Sequence, residues 1–270
     1  MIDRIASRRG VVCGLALDHR DSLRVAARRH GFPDDSTSLR ALKVELVRGL
    51  ARLASVVLLD VELGLDAFTE LDGVPLVVPL EAQGYESLGE GRITTLLGDV
   101  DPARAAALGA VGCKLLLPYR PDLTDVAAIQ DEMVARVVAE CRAAGVLSII
   151  EPIVYGEVPE LGAAVGETAR RLSRLGPDVL KLQYPGSLRL CEVLTRTCGA
   201  VPWVLLGGGT DEDTFLSQLR DAMHGGARGY IVGRTAWDTA LVTDAEARER
   251  AIAGRAAFLA RCRVVVEATP

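Results

Sequence analysis

Short, almost continuous apolar runs alternate along the whole chain with longer stretches in which apolar and polar positions are mixed at helical spacing. The runs are VVCGLALD (Val11–Asp18), VVLLD (Val56–Asp60), PLVVPLE (Pro75–Glu81), GCKLLLPY (Gly112–Tyr119), VLSIIEP (Val146–Pro152), DVLKLQYP (Asp178–Pro185), PWVLLGGG (Pro202–Gly209) and RGYIVGR (Arg228–Arg234). Each predicts a strand. Between them SLRALKVELVRGLARLA, DVAAIQDEMVARVVAECRAAG, GETARRLSRLG and DEDTFLSQLRDAMHGG predict helices, each ending near a glycine. Strands apolar on both faces belong to a parallel sheet covered by helices, so an open doubly wound sheet and a closed barrel are the candidates. Eight runs favour the barrel: an α/β chain forming one (β/α)8 TIM-barrel domain over residues 1–270.

The totals leave that reading in place and narrow the partners. A chain of 270 residues with 49% hydrophobic and 25% charged side chains suffices for one large core. A net charge of -5 argues against nucleic acid, and no apolar segment is long enough to span a bilayer. The start, MIDRIASRRG, lacks the apolar core of a signal peptide, so a cytoplasmic location is expected. Six cysteines without a C-x-x-C pair are expected to be reduced thiols. Three scattered histidines do not suggest a zinc site, and neither metal nor cofactor is expected.

Barrel active sites are built at the C-terminal ends of the strands, so what each run carries there is the test. Run one ends in Asp18, His19 and Arg20, run three in Glu81, and run five in Glu151. Runs four and six carry Lys114 and Lys181, which with Lys43 are the only lysines among 31 basic residues. A lysine in an apolar strand is costly to charge, and a second cation nearby adds to the cost. Two such lysines facing one interior are therefore expected to depress one another and free an amine for attack on a carbonyl. The residues alone do not rank Lys114 against Lys181. Lys43, on an amphipathic helix, reads as an ordinary ion-paired residue. Asp18 and Glu151 are the candidate proton carriers, Glu151 the better one for its apolar flanks, while Glu81 reads as structural or at the rim. The glycine-rich LLGGGTDEDTF leaves a strand and enters a helix, so backbone N–H groups and the helix dipole are expected to face an anion. IVGRT adds Arg234 on the next run. Loops after strands seven and eight are the common phosphate site of barrels.

Together LALDHRDSLR, SVVLLD, CKLLLPYRPD, LSIIEPIV, DVLKLQYP, PWVLLGGGTDEDTF and GARGYIVGRTAW resemble the class I aldolases that include tagatose 1,6-bisphosphate aldolase and sulfofructosephosphate aldolase. The stretches occur in order and cover most of the chain. The resemblance implies that Lys181 is the Schiff-base lysine and Lys114 the second active-site lysine. It implies that Glu151 and Asp18 are the catalytic carboxylates, and that Gly208, Gly209, Gly233 and Arg234 bind phosphate. His19, Arg20 and Gln183 fall where substrate is touched. Cleavage of a ketose phosphate, either a sulfofructose 1-phosphate-like compound or a ketohexose bisphosphate, would give dihydroxyacetone phosphate and an aldehyde. The chain departs from the pattern at three places: DHR for DQR, Lys181-Leu182-Gln183 for K-V-E, and GGG for a serine-bearing loop. A metal-independent isomerase or epimerase on the same phosphate site, and a non-catalytic sugar-phosphate-binding barrel, are the rival readings. A homo-oligomer is expected, as for many barrel enzymes.

Overall fold

All eight apolar runs contain a strand of one closed parallel barrel in the computed structural model, which describes residues 2–269. In chain order the strands are β1 (Val12–Ala16), β2 (Val56–Leu58), β3 (Leu76–Pro79), a short antiparallel hairpin β4 (Glu86–Leu88) and β5 (Gly91–Ile93), then β6 (Gly112–Tyr119), β7 (Leu147–Val154), β8 (Val179–Leu182), β9 (Trp203–Leu206) and β10 (Gly229–Val232). The ring runs β1-β10-β9-β8-β7-β6-β3-β2, leaving the hairpin outside it. The α-helices are α1 (Asp21–His30), α2 (Ser36–Leu50), α3 (Pro102–Ala107), α4 (Thr124–Ala143), α5 (Leu161–Ser173), α6 (Leu188–Cys198), α7 (Glu212–His224), α8 (Arg234–Trp237) and α9 (Ala245–Ala268). The fold is a (β/α)8 TIM barrel.

The barrel strands are apolar at nearly every position because both of their faces are buried. Val12, Val56, Val77, Leu147, Ile149, Val179, Val204 and Ile231 form an aliphatic filling inside the ring, closed by Ile5. The alternate residues, among them Leu15, Val57, Leu115, Leu180, Trp203 and Tyr230, meet the helices in a second, larger core. The four predicted helices correspond to α2, α4, α5 and α7; α1, α3, α6, α8, α9 and the hairpin are additions.

Register sets the height of the chemistry. β6 and β7 pair over eight residues, from Gly112 with Leu147 to Tyr119 with Val154, which puts Leu116 opposite Glu151. Ile149 pairs with Val179 in the next strand, so Glu151 and Lys181, each two residues further on, point to the same side one layer up. The charged layer therefore begins where the aliphatic filling stops.

Candidate active site

Five charged side chains carried by β1, β3, β6, β7 and β8 or just beyond them meet above that filling. Lys114 Nζ lies 2.7 Å from Asp18 Oδ2 and 3.8 Å from Glu151 Oε2, and donates to Glu81 Oε1. Lys181 Nζ lies 2.8 Å from Glu151 Oε1. All five are buried. Glu81 also accepts from the Leu116 backbone N–H at 3.1 Å, and its backbone carbonyl accepts from Arg20 at 2.8 Å. With Arg20, buried and 3.6 Å from Glu81 Oε1, the cluster holds three cations and three carboxylates. Its residues line a cleft of about 80 Å³.

The electrostatics follow from unequal sharing. Burial works against the Lys114 ammonium, but Asp18, Glu81 and Glu151 outweigh it and hold Lys114 well above the usual lysine range. The expectation that Lys114 would be depressed is therefore reversed: three carboxylates within 4.0 Å outweigh its burial. Burial also disfavours charge on Asp18, yet Lys114 and Lys181 keep its carboxyl well below the ordinary aspartate range. Glu81 moves the other way, pushed up by burial and by the Asp18 charge against the pull of Lys114. One ammonium cannot satisfy three anions equally. Of the two expectations for Glu81, structural or at the rim, the second is corrected: the side chain is buried within the cluster. Glu151 keeps one oxygen on Lys181, and its Oε2 accepts no hydrogen bond among the described residues.

His19 lines the same cleft with its Nδ1 unpartnered and 3.9 Å from Asp18 Oδ1. Its ring stands edge-on to Trp237 at 5.1 Å, and a Cβ on Gly233 would come within 2.5 Å of its Cε1. Gly233 is thus needed for the histidine to fit. Burial lowers the His19 ring to about 3, with Lys181 and Lys114 adding to the effect and Asp18 opposing it. The ring is neutral at pH 7. Lys43 on α2 anchors this loop from behind, donating to the His19 carbonyl at 2.9 Å and to the Asp60 carboxylate. Its expected ion pair is present, but wholly buried, and Asp60 at the end of run two is a supporting residue that the reading of strand ends passed over.

Two of the expected substrate contacts also hold protein groups. Arg20 donates to the Glu81 carbonyl yet lines the cleft, its Nε without a partner among the described residues, whereas Gln183 turns to the neighbouring strand, its Oε1 accepting from Val154 N–H at 2.7 Å. Gln183 thereby laces β8 to β7 instead of facing the cleft. In the glycine loop Gly208 and Gly209 adopt φ +64° and +77°, and a Cβ on Gly209 would lie 2.8 Å from the Arg234 guanidinium carbon. Arg234 donates to the Gly208 carbonyl at 2.9 Å, so the two loops lie together as expected. The N-terminus of α7 is less available than the sequence implied, because Asp211 caps it through Thr214 N–H. Gly209 and Arg234 open onto a cavity of about 680 Å³ that also meets Arg29 and Arg255. Ser22 borders both this cavity and the lysine cleft.

A family model described as DeoC/LacD family aldolase matches residues 13–239. The tagatose 1,6-diphosphate aldolase of Listeria monocytogenes serotype 4a (strain HCC23) is 25% identical over 270 residues, covering 87% of this chain and 80% of its own. That of Staphylococcus aureus (strain bovine RF122 / ET3-1) is 26% identical over 275 residues, covering 89% and 84%. In three dimensions the chain is similar to a Schiff-base-forming fructose-1,6-bisphosphate aldolase, with a TM-score of 0.68 at 21% identity over 99% of this chain and 97% of that one. It is similar too to the fructose-bisphosphate aldolase of Plasmodium falciparum, with a TM-score of 0.73 at 14% identity over 96% and 91%. At these identities the two structural likenesses concern the fold.

Proposed function

Because the chain belongs to the DeoC/LacD family of aldolases, and so is a carbon–carbon lyase, we propose that it is a class I enzyme that cleaves a ketose phosphate through an imine on Lys181. The observation that carries this reading is the buried pair Lys181–Glu151 at 2.8 Å, with the second Glu151 oxygen unpartnered beside Lys114. A nucleophilic amine, a proton carrier in contact with it and a fixed positive charge are what imine chemistry requires.

In this mechanism the Lys181 amine adds to the C2 ketone, and the carbinolamine loses water with a proton from Glu151. The C4 hydroxyl then gives its proton to Glu151 as the C3–C4 bond breaks; its electrons pass into the protonated imine to form an enamine, and the aldehyde departs. Protonation at C3 and hydrolysis return Lys181 and release dihydroxyacetone phosphate. Asp18, held ionised by Lys114, is a poor proton carrier and serves to keep that ammonium in place. Lys114 binds substrate oxygen. Gly208, Gly209, Gly233 and Arg234 take the phosphate, and His19 contacts the substrate as a neutral ring. The substrate named for the relatives, tagatose 1,6-diphosphate, is the first to assay.

Borohydride reduction in the presence of dihydroxyacetone phosphate, followed by peptide mass spectrometry, tests the assignment. The expected adduct is on Lys181 and is absent from Lys181→Met; an adduct on Lys114, or none, refutes it. Glu151→Gln should lower kcat by about 10²–10⁴-fold.

A further inference from the structure

The mouth of the barrel has two chemically unlike ends. On the side of β9 and β10, the cavity beyond Gly209 carries three guanidinium groups, Arg29, Arg234 and Arg255. Strands β3 and β6 stand across the ring from β9 and β10. On that side the cleft continues into a cavity of about 290 Å³ lined by Asp21, Ser22, Glu81, Gln83, Tyr85 and Thr94 among others. The two spaces share Ser22, Glu81, Gln83 and Leu116. Gln83 Oε1 accepts from the Asp21 backbone N–H at 2.9 Å, which fixes the two loops that form the wall.

We infer that this second cavity receives the aldehyde half of the substrate and that this half is an uncharged polyol chain, so that the substrate is a ketose monophosphate and not a bisphosphate or a sulfonated phosphate. The inference rests on the lysine-imine reading above. Its ground is the donor set: two hydroxyl-bearing side chains, a phenol, an amide and two carboxylates are groups that accept from and donate to sugar hydroxyls, and an aromatic face suits the C–H face of a carbon chain. A second phosphate or sulfonate in the same place would face the Asp21 carboxylate, a pairing of like charges that interfaces use to reject partners. Lys114, the ammonium nearest that wall, is already shared among three carboxylates. Arg92 of the hairpin lies over the rings of Tyr85 and Tyr155, at 5.8 Å and 4.8 Å, outside the residues that line the cavity.

With phosphate on C1 held at Gly209 and Arg234 and C2 on Lys181, the C4 to C6 hydroxyls point toward Gln83 and Asp21. The test compares kcat/KM for D-tagatose 1-phosphate with D-tagatose 1,6-bisphosphate, and for the two corresponding D-fructose phosphates, alongside borohydride trapping with dihydroxyacetone phosphate. The monophosphates should be preferred by about tenfold or more, and Asp21→Lys should shift the preference toward the bisphosphates. Gln83→Leu should lower kcat/KM for the monophosphates by about tenfold. If Lys181 is trapped but the bisphosphates are preferred, the inference falls and the imine reading stands; if Arg92→Ala then removes that preference, Arg92 is the second anion site. If Lys181 is not trapped, both fall.

Discussion

Lys114 is the cation that three carboxylates share; it holds Asp18 ionised, while burial and the Asp18 charge push Glu81 the other way. The sequence reading placed it correctly in the mouth but inverted its electrostatics, because a linear chain does not reveal how many carboxylates other strands bring within reach. Lys181 is a different lysine for a geometric reason: it touches one carboxylate, Glu151, and the aliphatic layer lies below it. Glu81 and Gln183 lie differently from expectation for the same reason. Each stands at a strand end, and only the loop geometry turns one inward and the other to a backbone. His19 gives a pH signature. An unfolded chain binds a proton at a histidine near pH 6.5, whereas the native ring does so only near 3. Between those values the unfolded state holds the extra proton, so this contribution to stability is intact above pH 6.5 and is lost as the pH falls toward 3. His19→Gln should therefore flatten the acid side of the stability profile, read as urea midpoints from pH 7 to about 4. A profile as steep as that of the parent protein would show the ring to be protonated in the native state.

At the level of elements, the apolar runs foretold the strands well because burial on both faces leaves no other residue type for them. Polar-rich helices were less legible: α1, DSLRVAARRH, buries only Leu23 and Ala27, and α6 only Cys191, Leu194 and Cys198. The hairpin is exposed along β4 and so lacks the alternation that marks a strand. Helix α9 lies beyond the residues matched by the family model, yet it is part of the core. Phe258 on α9 meets Phe215 of α7 ring to ring at 5.9 Å, and Arg248 pairs with Glu45 of α2 at 2.6 Å. Phe258→Ala should cost about 3–5 kcal/mol, measured by urea denaturation, through the cavity it leaves between α9 and α7. A loss below about 1 kcal/mol would mean that α9 is not integral to the barrel wall.

For the molecule as a whole, closure of the ring was legible from the count of runs, while the unlike ends of its mouth were not, since they depend on which loops lie opposite each other. Closure also hides every cysteine. All six cysteines are free and buried, and burial pushes Cys13 up to about 11 and Cys191, Cys198 and Cys262 up to about 12. A thiol reagent should accordingly label none of the six in the native protein within minutes and all six after denaturation; rapid native labelling would expose an opening of the barrel wall. The aliphatic filling has a further effect on turnover. Ile149, Val179, Val204 and Ile231 have no exposed surface and stop up the barrel below the charged layer. Among the described residues that filling closes the far end of the barrel, so sugar, aldehyde, water and solvent protons share the mouth. In an imine cycle, an aldehyde still standing in that doorway blocks solvent from the enamine behind it. If the proposed imine mechanism holds, the sealed floor sets a queue: the aldehyde goes out first, and the proton for C3 comes in after it.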